Sequence, residues 1–379
     1  MSRDLYYRVS VSAGTSAAYD LSHDLTGMTI EEDGQKPNQL TVDLSDPYKV
    51  LSHALQEGMD VEVDLGYADD HSIIFRGRIY QVDSDFPQDG LPTIQFSAYD
   101  KSMHMGLRKR NRPWSGMLLS EIVEEIAGEY FDRDVQVALR GDPEFTGNGI
   151  RQQDETDLAF LLRLANRYGA EMFVITDEDT DTLHFKDQYS IMDADPEISL
   201  YHGRCGAAGH LIQFQAGSNV SDIQLPRVFS GIEYESGERT EATTAEVEEV
   251  GDTEDTLFDD NLTAFREREP ERADRLEALL GAAESIPTEL RTELGNEERE
   301  PTPGFASQEE LNTRAQNQFS TSIHGMRGSG VTPGNHRIRA QSNILIADVG
   351  GRFSGIWYLA TVRHVLNDQG YLTEIQCQR

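Results

Sequence analysis

Over its first hundred residues, the chain alternates apolar and polar side chains with a period of two. The pattern is clearest in residues 7–11, 59–65 and 94–98, and turn-forming runs such as Gln88-Asp89-Gly90 separate these segments. In an extended strand this spacing puts the apolar side chains on one face, which an antiparallel sheet buries against a core. Residues 1–105 are therefore predicted to form an antiparallel β-barrel or sandwich.

The apolar period changes to helical spacing after Trp114. A first helix is predicted behind Ser115 as its N-cap. Its apolar positions are Leu118, Leu119, Ile122, Ile126 and Tyr130. A second helix is predicted between an N-cap at Asp154 or Thr156 and a left-handed C-cap at Gly169. Its apolar stripe contains Leu158, Leu161, Leu162, Ala165 and Tyr168. Two short strands follow, so residues 106–200 are predicted to form a small α+β domain.

Strand-like alternation returns in residues 211–234 and then stops at an acidic segment. Positions 235 to 300 hold 22 acidic and 7 basic residues, and their few apolar side chains cannot bury a strong core alone. We expect residues 235–304 to be an acidic insertion, partly mobile and partly helical around 261–280, where Pro270 interrupts the helix.

One more helix and four strands are predicted at the end of the chain. Ser307 and Glu310 make a capping box in front of the helix. The helix carries an apolar stripe of Leu311, Ala315, Phe319 and Ile323. With strands near 338–341, 343–347, 356–364 and 371–377, the second β-barrel is discontinuous, 201–234 and 305–379. The predicted fold is mainly β, with two barrels, an α+β domain and the acidic insertion.

The charge composition predicts a protein that works in high salt. The chain carries 67 acidic and 33 basic residues, a net charge of −34, and only five of the basic residues are lysines. Such self-repulsion destabilises a compact fold, whereas molar salt shortens the Debye length to about 3 Å. The balance resembles proteins of haloarchaea and their viruses. A disordered acidic chain is the alternative, and the 29 Phe and Tyr residues argue against it.

The same composition excludes several classes of partner. The chain offers little net positive charge to the phosphates of a nucleic acid, so neither sequence-independent nor sequence-specific binding to nucleic acid is expected. The one basic run, residues 108–112, is interpreted as a linker or as a patch that meets an acidic partner. Neither a secretory signal nor an apolar run of roughly 18 residues is found, so no membrane insertion is expected. Cys205 and Cys377 lack metal-ligand spacing, so buried thiols and no cofactor are expected.

Residues 150–173 contain a long motif of mixed composition. It resembles the signature of the late control protein D family, the phage tail hub proteins, which is shared with the N-terminal part of VgrG spike proteins. The matching positions are Arg151, Gln152, Glu155, Asp157, Phe160, Leu161, Leu164, Tyr168 and Gly169. Thr156 stands where the family has serine, which keeps a hydroxyl at the helix start.

The C-terminal strand pair is similar to the closing motif of the same family. The matching positions are Gly355, Tyr358, His364, Gly370, Tyr371 and Thr373. Both motifs occur in the family's order, with the helix at Ser307 between them. The acidic segment 235–304 departs from the family pattern. The chain also lacks the C-terminal needle of a fused VgrG, so we expect the spike to be a separate chain.

The resemblance implies a structural protein rather than an enzyme. Hubs of this family have two tail-tube-like β domains per subunit, so a trimer presents six barrels to a hexameric tail tube and threefold symmetry to a spike. We expect a homotrimeric ring in the virion tail, made in the host cytoplasm, around a channel for genome or effector passage. Its partners would be the tail tube protein, the spike and neighbouring baseplate proteins. Two alternatives stay open: a tail-tip hub of a non-contractile tail, and a glycan-degrading tail enzyme.

Two carboxylate groups invite a chemical interpretation, and each has a simpler structural one. The run at 177–181 begins like a calcium loop, but Thr182 and Gln188 stand where the glycine and the bidentate glutamate belong. A solvated hairpin tip is predicted there. Glu155 and Asp157 could form an acid/base pair, but capping and the helix dipole already explain carboxylates in a first helical turn.

The histidines also have a simpler explanation than a metal site. His364 lies in a predicted strand, and His202 and His210 flank Cys205 at loop-like spacings. A zinc site needs a fourth ligand at a known spacing, which is absent here. We therefore predict structural or surface histidines and assign no catalytic, cofactor or metal residue.

Overall fold

In the computed structural model, the described residues are 4–14, 17–131, 134–145, 149–177, 179–203, 209–219, 227–232, 238–243, 256–283, 298–301, 311–312, 315 and 326–379. Strands dominate them, and most strands join one large sheet that runs through two β units. An α+β unit packs beside this sheet. The predicted fold class, mainly β with an α+β insertion, is confirmed.

The first β unit wraps a sheet around one apolar core. Its elements are β1 (Leu5–Ser12), β2 (Tyr19–Asp20), β3 (Leu25–Asp33), β4 (Gln39–Ser45), α1 (Leu51–Ala54), β5 (Asp60–Tyr67), β6 (Asp70–Asp85) and β7 (Thr93–Tyr99), followed by a 3₁₀ helix (Lys101–Gly106). The strands pair antiparallel in the order β2-β1-β5-β6-β7-β4-β3. Leu40, Val42 and Leu44 alternate with half-buried residues on β4, so the period-two pattern marks the inner face. The inner faces share one core, so the sheet curves around it.

The α+β unit packs two helices against short sheets. Its elements are β8 (Lys109–Trp114), α2 (Leu119–Gly128), β9 (Val135–Ala138), β10 (Ile150–Thr156), α3 (Asp157–Tyr168), β11 (Ala170–Thr176), β12 (Asp181–Asp187) and α4 (Gln188–Met192). Helix α2 begins at Leu119, so the predicted cap at Ser115 is wrong. The Gly116 N–H donates to the Phe145 carbonyl and the Phe145 N–H donates to the Met117 carbonyl, which keeps this segment out of the helix.

The remaining elements alternate between two sheets. In chain order they are β13 (Ile198–His202), β14 (His210–Leu211), β15 (Gln213–Ser218), β16 (Arg227–Ile232), β17 (Arg239–Thr243), α5 (Thr256–Arg268), α6 (Pro270–Ala283), β18 (Glu298–Pro301), β19 (Met326–Pro333), β20 (Asn343–Ala347), β21 (Gly355–Asn367) and β22 (Gly370–Gln378). The second β unit pairs its strands in the order β15-β19-β22-β21-β20-β13-β14. Its core surrounds Trp357 and Val362, both fully buried.

Strands β16, β17 and β18 form a separate small sheet. The sequence places residues 227–232 in the second β-barrel, whereas the structure pairs β16 with β17 and β18 of the acidic segment. Phe229 on β16 is fully buried and packs with Ala242, Leu311 and Ala315. The physical reason is the composition of the acidic segment, because its strands need apolar side chains from outside it to bury a core.

The helical prediction for the acidic segment is confirmed. Two helices, α5 and α6, cover residues 256–283, and Pro270 is the first residue of α6. Proline fits this position because the first helical N–H has no partner within the helix. The predicted helix over 307–323 lies largely outside the described residues. Within it, Leu311 and Ala315 are helical and buried.

Strand β21 belongs to both β units. Along one edge, its residues 355–358 pair with β20 of the second unit, and its residues 361–366 pair with β3 of the first. Its other edge pairs with β22. The far end of this hairpin places Leu366 and Tyr371 in the core of the first β unit. The predicted boundary, which keeps residues 305–379 in the second barrel, therefore cuts through a strand that the two units share.

One arginine, with only 16% of its side chain exposed, contacts all three units. Arg339 lies between β19 and β20, and its Nε donates to Glu32 on β3 (2.6 Å). The same guanidinium donates to the carbonyls of Thr176 on β11 (3.2 Å) and Ile74 on β6 (3.4 Å). The second oxygen of Glu32 accepts from the Ala340 N–H (2.9 Å). Each charge is therefore satisfied at the point where the units meet.

We call the contacts of Arg339 with Glu32, Thr176 and Ile74 the Arg339 clamp. Replacement of Arg339 tests this clamp. Arg339→Met should lower the free energy of unfolding by about 3–5 kcal/mol, because the buried Glu32 carboxylate loses its cation. Arg337→Met is the matched control, since that arginine pairs with Asp70 at the surface and should contribute about 1 kcal/mol or less. Denaturant unfolding of both variants measures the difference. Equal losses would contradict a special role for Arg339.

Candidate functional site

The N-terminal motif is built around a fully buried carboxylate. Asp157 is the first residue of α3. Its Oδ1 accepts from Gln152 Nε2 (2.7 Å), and its Oδ2 accepts from the Tyr130 hydroxyl (2.8 Å) and lies 3.1 Å from Arg110 Nε. Burial, and then the hydrogen bond to Asp157, raise the pKa of Tyr130, so this hydroxyl remains a donor. The Arg110 cation and two neutral donors thus replace the water that the carboxylate loses.

The ends of α3 are fixed by two other residues of the segment. Thr156 Oγ1 accepts from the Ala159 N–H (3.2 Å) as the N-cap, and Gly169 has the left-handed conformation at the C-cap, with φ +63°. Both predicted caps are confirmed. The apolar motif positions Phe160, Leu161, Leu164 and Tyr168 all lie in the core of the α+β unit. The motif therefore anchors α3 at both ends and along its buried face.

The basic run at 108–112 is used partly inside the protein. It supplies strand β8, which pairs antiparallel with β10. Arg110 and Arg112 alternate onto one side of β8, where each lies about 3 Å from Glu129 (3.0 and 2.9 Å) and both flank Asp157. The interpretation as a linker or partner patch is therefore wrong for these two arginines. Period-two spacing explains the outcome, because it directs both side chains toward the same carboxylates.

The second carboxylate of the motif is also held by the chain. Arg163 donates to both oxygens of Glu155 (2.6 and 3.2 Å) and to the Arg151 carbonyl (3.1 Å). Glu155 and Asp157 are the two carboxylates that the sequence offers as an acid/base pair. Each is bound by guanidinium groups of its own unit, so the structure gives both a positioning role in the fold.

The C-terminal motif forms a buried network around His364. Its Nε2 faces the Ile338 carbonyl (3.1 Å), so the hydrogen belongs on Nε2, and Nδ1 accepts from the Tyr371 hydroxyl (2.8 Å). Thr373 Oγ1 lies 3.3 Å from Nδ1 and accepts from the Asn335 N–H (2.9 Å). The network fixes residues 335–338, which lead directly to Arg339. His364 is thus buried and hydrogen-bonded within the fold.

The two motif glycines of the β21–β22 hairpin have positive φ angles, which favour glycine over other residues. Gly355 has φ +146°, and a Cβ there would lie 2.6–2.8 Å from the Arg379 guanidinium. That guanidinium donates to the Ser354 carbonyl (2.6 Å), so it cannot move away without losing a buried hydrogen bond. Gly370 has φ +112° in the turn between β21 and β22, a conformation that other residues rarely adopt.

Tyr358, the remaining motif residue, lines a cavity of about 380 Å³ between the three units. Asp33 comes from the first β unit, Glu171 and Gln188 from the α+β unit, and Gln341 and Tyr358 from the second β unit. Tyr358 donates a hydrogen bond to Glu171. Burial raises the pKa of Glu171, an effect that this hydrogen bond opposes. The contact joins the α+β unit to β21.

The other candidate sites are occupied by structural contacts. Strands β11 and β12 pair antiparallel on either side of the run at 177–181, and Asp177 Oδ1 accepts from the N–H groups of Asp179 and Thr180, so the predicted hairpin is confirmed, while Glu178 lies outside the described residues. Asp181 lies 3.4 Å from Lys101 Nζ. Among the residues that the structure describes, no group of three or more His, Cys, Asp or Glu could hold a metal ion. Burial raises the pKa of the Cys377 thiol, and Cys205 lies outside the described residues.

Comparison with known proteins identifies the family. Residues 35–284, well over half of the chain, match the family model of the phage tail baseplate hub (GPD). The chain belongs to the phage tail baseplate hub family. A tail or baseplate location and a structural role follow from that membership. No curated protein matches the chain in sequence.

Several solved structures share the fold of this chain at low sequence identity. A prophage 43 kDa tail protein from Shewanella oneidensis is 13% identical, with a TM-score of 0.61 over 99% of this chain and 98% of that one. A tail protein from Neisseria meningitidis is 14% identical, with a TM-score of 0.61 over 98% and 96%. A type VI secretion component from Escherichia coli is 12% identical, with a TM-score of 0.57 over 98% and 76%. These likenesses concern the fold.

Some of the residues that hold this hub together are absent from both motifs. Glu32 and Arg339 form the clamp, and Arg110 and Tyr130 complete the Asp157 site. The sequence offers one usable signal, the interruption of alternation by a charge at the buried position Glu32. Its partner lies more than 300 residues away, and local patterns carry no information on such pairs.

A matched pair of substitutions tests the Asp157 site. Asp157→Asn should lower the free energy of unfolding by about 2–4 kcal/mol, because Arg110 keeps its charge beside a group that no longer neutralises it. Asp154→Asn makes the same chemical change at an exposed carboxylate 3.3 Å from Lys109 and should cost about 0.5 kcal/mol or less. Thermal and urea unfolding compare the two. A small loss at Asp157 would contradict the described role.

The His364 network predicts a pH dependence. Burial lowers the pKa of His364 to about 3, whereas an unfolded imidazole titrates near roughly 6.5. The neutral ring therefore stabilises the fold fully above pH ~6.5, and this contribution is lost as the pH falls toward 3. Between pH 4 and 7, the free energy of unfolding measured in urea should rise with pH less steeply in His364→Gln than in the wild type. The difference in slope should correspond to up to about one proton bound on unfolding. Equal slopes for the wild type and His364→Gln would contradict the assignment.

Proposed function

We propose that this hub protein forms a homotrimeric ring that joins a hexameric tail tube to a separate spike. Three copies with two β units each would present six similar units to the tube, while the ring as a whole keeps threefold symmetry for the spike. The centre of the ring would form the channel through which genome or effectors pass. Neighbouring baseplate proteins would surround it.

The observation that carries this proposal is the shared strand β21. A ring that converts threefold into sixfold symmetry needs its two β units at a fixed angle in every subunit. Continuous backbone pairing of β21 with both β20 and β3 supports such rigidity, because any rotation would break ladder hydrogen bonds. The Arg339 clamp adds a second connection between the same units.

The charge supports a further part of the proposal, assembly in a salty medium of the kind that haloarchaeal viruses meet. Copies with a charge of −34 repel one another strongly at low ionic strength.

Within the part of the chain that the structure describes, no helix is long and apolar enough to span a membrane.

Light scattering in different salt concentrations tests the ring. In 3 M KCl we expect three times the subunit mass, and in 0.1 M KCl we expect dissociation, because the Debye length grows from a few ångströms to about 10 Å. The tail tube protein encoded by the same virus should bind the trimer in 3 M KCl. A chain that stays monomeric in molar salt with its tube protein present would overturn the proposal.

A further inference from the structure

Two neighbouring loops of the first β unit expose large apolar side chains at one end of the barrel. Tyr48 and Val50, between β4 and α1, are 87% and 61% exposed. Phe86 and Leu91, between β6 and β7, are 52% and 64% exposed. We call residues 47–50 and 86–92 the apolar tip. Four of the ten large apolar side chains that are exposed in the described part of the chain lie in this tip, and such clustering marks an interaction surface.

The first tip loop is held rigidly by a buried carboxylate. Asp46 accepts from the N–H groups of Val50 (2.8 Å) and Leu51 (3.2 Å) through Oδ1, and from Ser52 (2.9 Å) through Oδ2. Lys49 takes a positive φ of +57°, which is uncommon for a residue with a side chain. These bonds hold the backbone at the end of the loop that carries Tyr48 and Val50. A rigid surface loses less entropy on binding than a mobile one.

The two loops also hold each other. The Asp46 N–H donates to the Pro92 carbonyl (2.9 Å), and Lys49 Nζ lies 5.6 Å from the centre of the Phe86 ring. The four apolar side chains consequently belong to one surface rather than to two independent loops.

The charge of the tip differs from that of the whole chain. Within residues 47–50 and 86–92, the charged side chains are Lys49 and Asp89, so the side chains of the tip carry no net charge in a protein of net charge −34, and the carboxylate of Asp46 beneath the first loop is buried. Asp83 and Asp85 border it on β6 and are exposed. Two bodies of like charge approach at the lowest electrostatic cost where their facing surfaces are neutral and apolar.

We propose that the apolar tip is a contact between copies of this chain. The sequence gives the net charge of a second copy, which is −34 like that of the first. Because two such copies repel each other, a contact between them is favoured at surface that carries no net charge. The proposal rests on the ring described above and names the surface that stabilises it. In a cyclic trimer the tip either meets a different surface of the next copy or lies near the threefold axis beside its equivalents.

Truncation of the tip tests the contact. The double variant Tyr48→Ser/Phe86→Ser should weaken self-association in 3 M KCl by about tenfold to a hundredfold, because buried aromatic side chains dominate interface affinity. Val50→Ser/Leu91→Ser is a second, independent tip variant. The matched control, Leu107→Ser/Ile212→Ser, removes two side chains that are exposed outside the tip (59% and 48%), and its association constant should change less than threefold. Sedimentation equilibrium measures all four proteins, and thermal unfolding checks that each folds like wild type.

The outcomes separate this inference from the proposed ring. A trimeric wild type with weakened tip variants and an unchanged control supports both. A trimeric wild type whose tip variants associate equally well overturns the tip contact and leaves the ring standing. Tip variants that remain trimeric but lose binding to the tail tube protein also overturn the copy contact, and they assign the tip to the tube. A wild type that stays monomeric in 3 M KCl with the tube protein present overturns both.

Discussion

The backbone pairing of one strand with two different partners holds this molecule together. Strand β21 pairs with β20 near its start and with β3 near its end, so a single continuous sheet passes from one β unit into the other. Side-chain contacts between domains allow sliding and rotation, whereas ladder hydrogen bonds fix both register and angle. The other contacts between the units, including the Arg339 clamp and the cavity beside Tyr358, take their positions from this sheet.

The two family motifs serve the same purpose at different places. The residues around Asp157 secure helix α3 within the α+β unit, and those around His364 fix the segment that carries Arg339. In both motifs the titratable side chains are bound within the fold, because the carboxylates are paired with arginines and the imidazole is buried. A pattern of this kind maintains a shape, which agrees with the structural role of the hub family.

The sequence predicted local features well and distant pairings poorly. Alternation identified the strands of the first β unit, and Thr156 and Gly169 marked the ends of α3, because periodicity and capping are determined by near neighbours. Pro270 correctly divided the acidic helices for the same reason. The misassigned features depend on tertiary contacts. Residues 227–232 have the apolar character of either sheet, and the charges of Arg110 and Arg112 gave no sign of the carboxylates that they approach.

The position of β21 in the chain also has a consequence for synthesis. Ile30 pairs with His364, so the first β unit lacks its neighbouring strand until residues more than 300 positions further along the chain have left the ribosome. Contacts of such long sequence separation form late and slow folding. A chain that is cut short would leave the edge of β3 uncovered and unable to set the angle between the units. Only chains that extend through β21 would then hold the two β units at a fixed angle, so synthesis of this one strand decides when the inter-unit geometry can form.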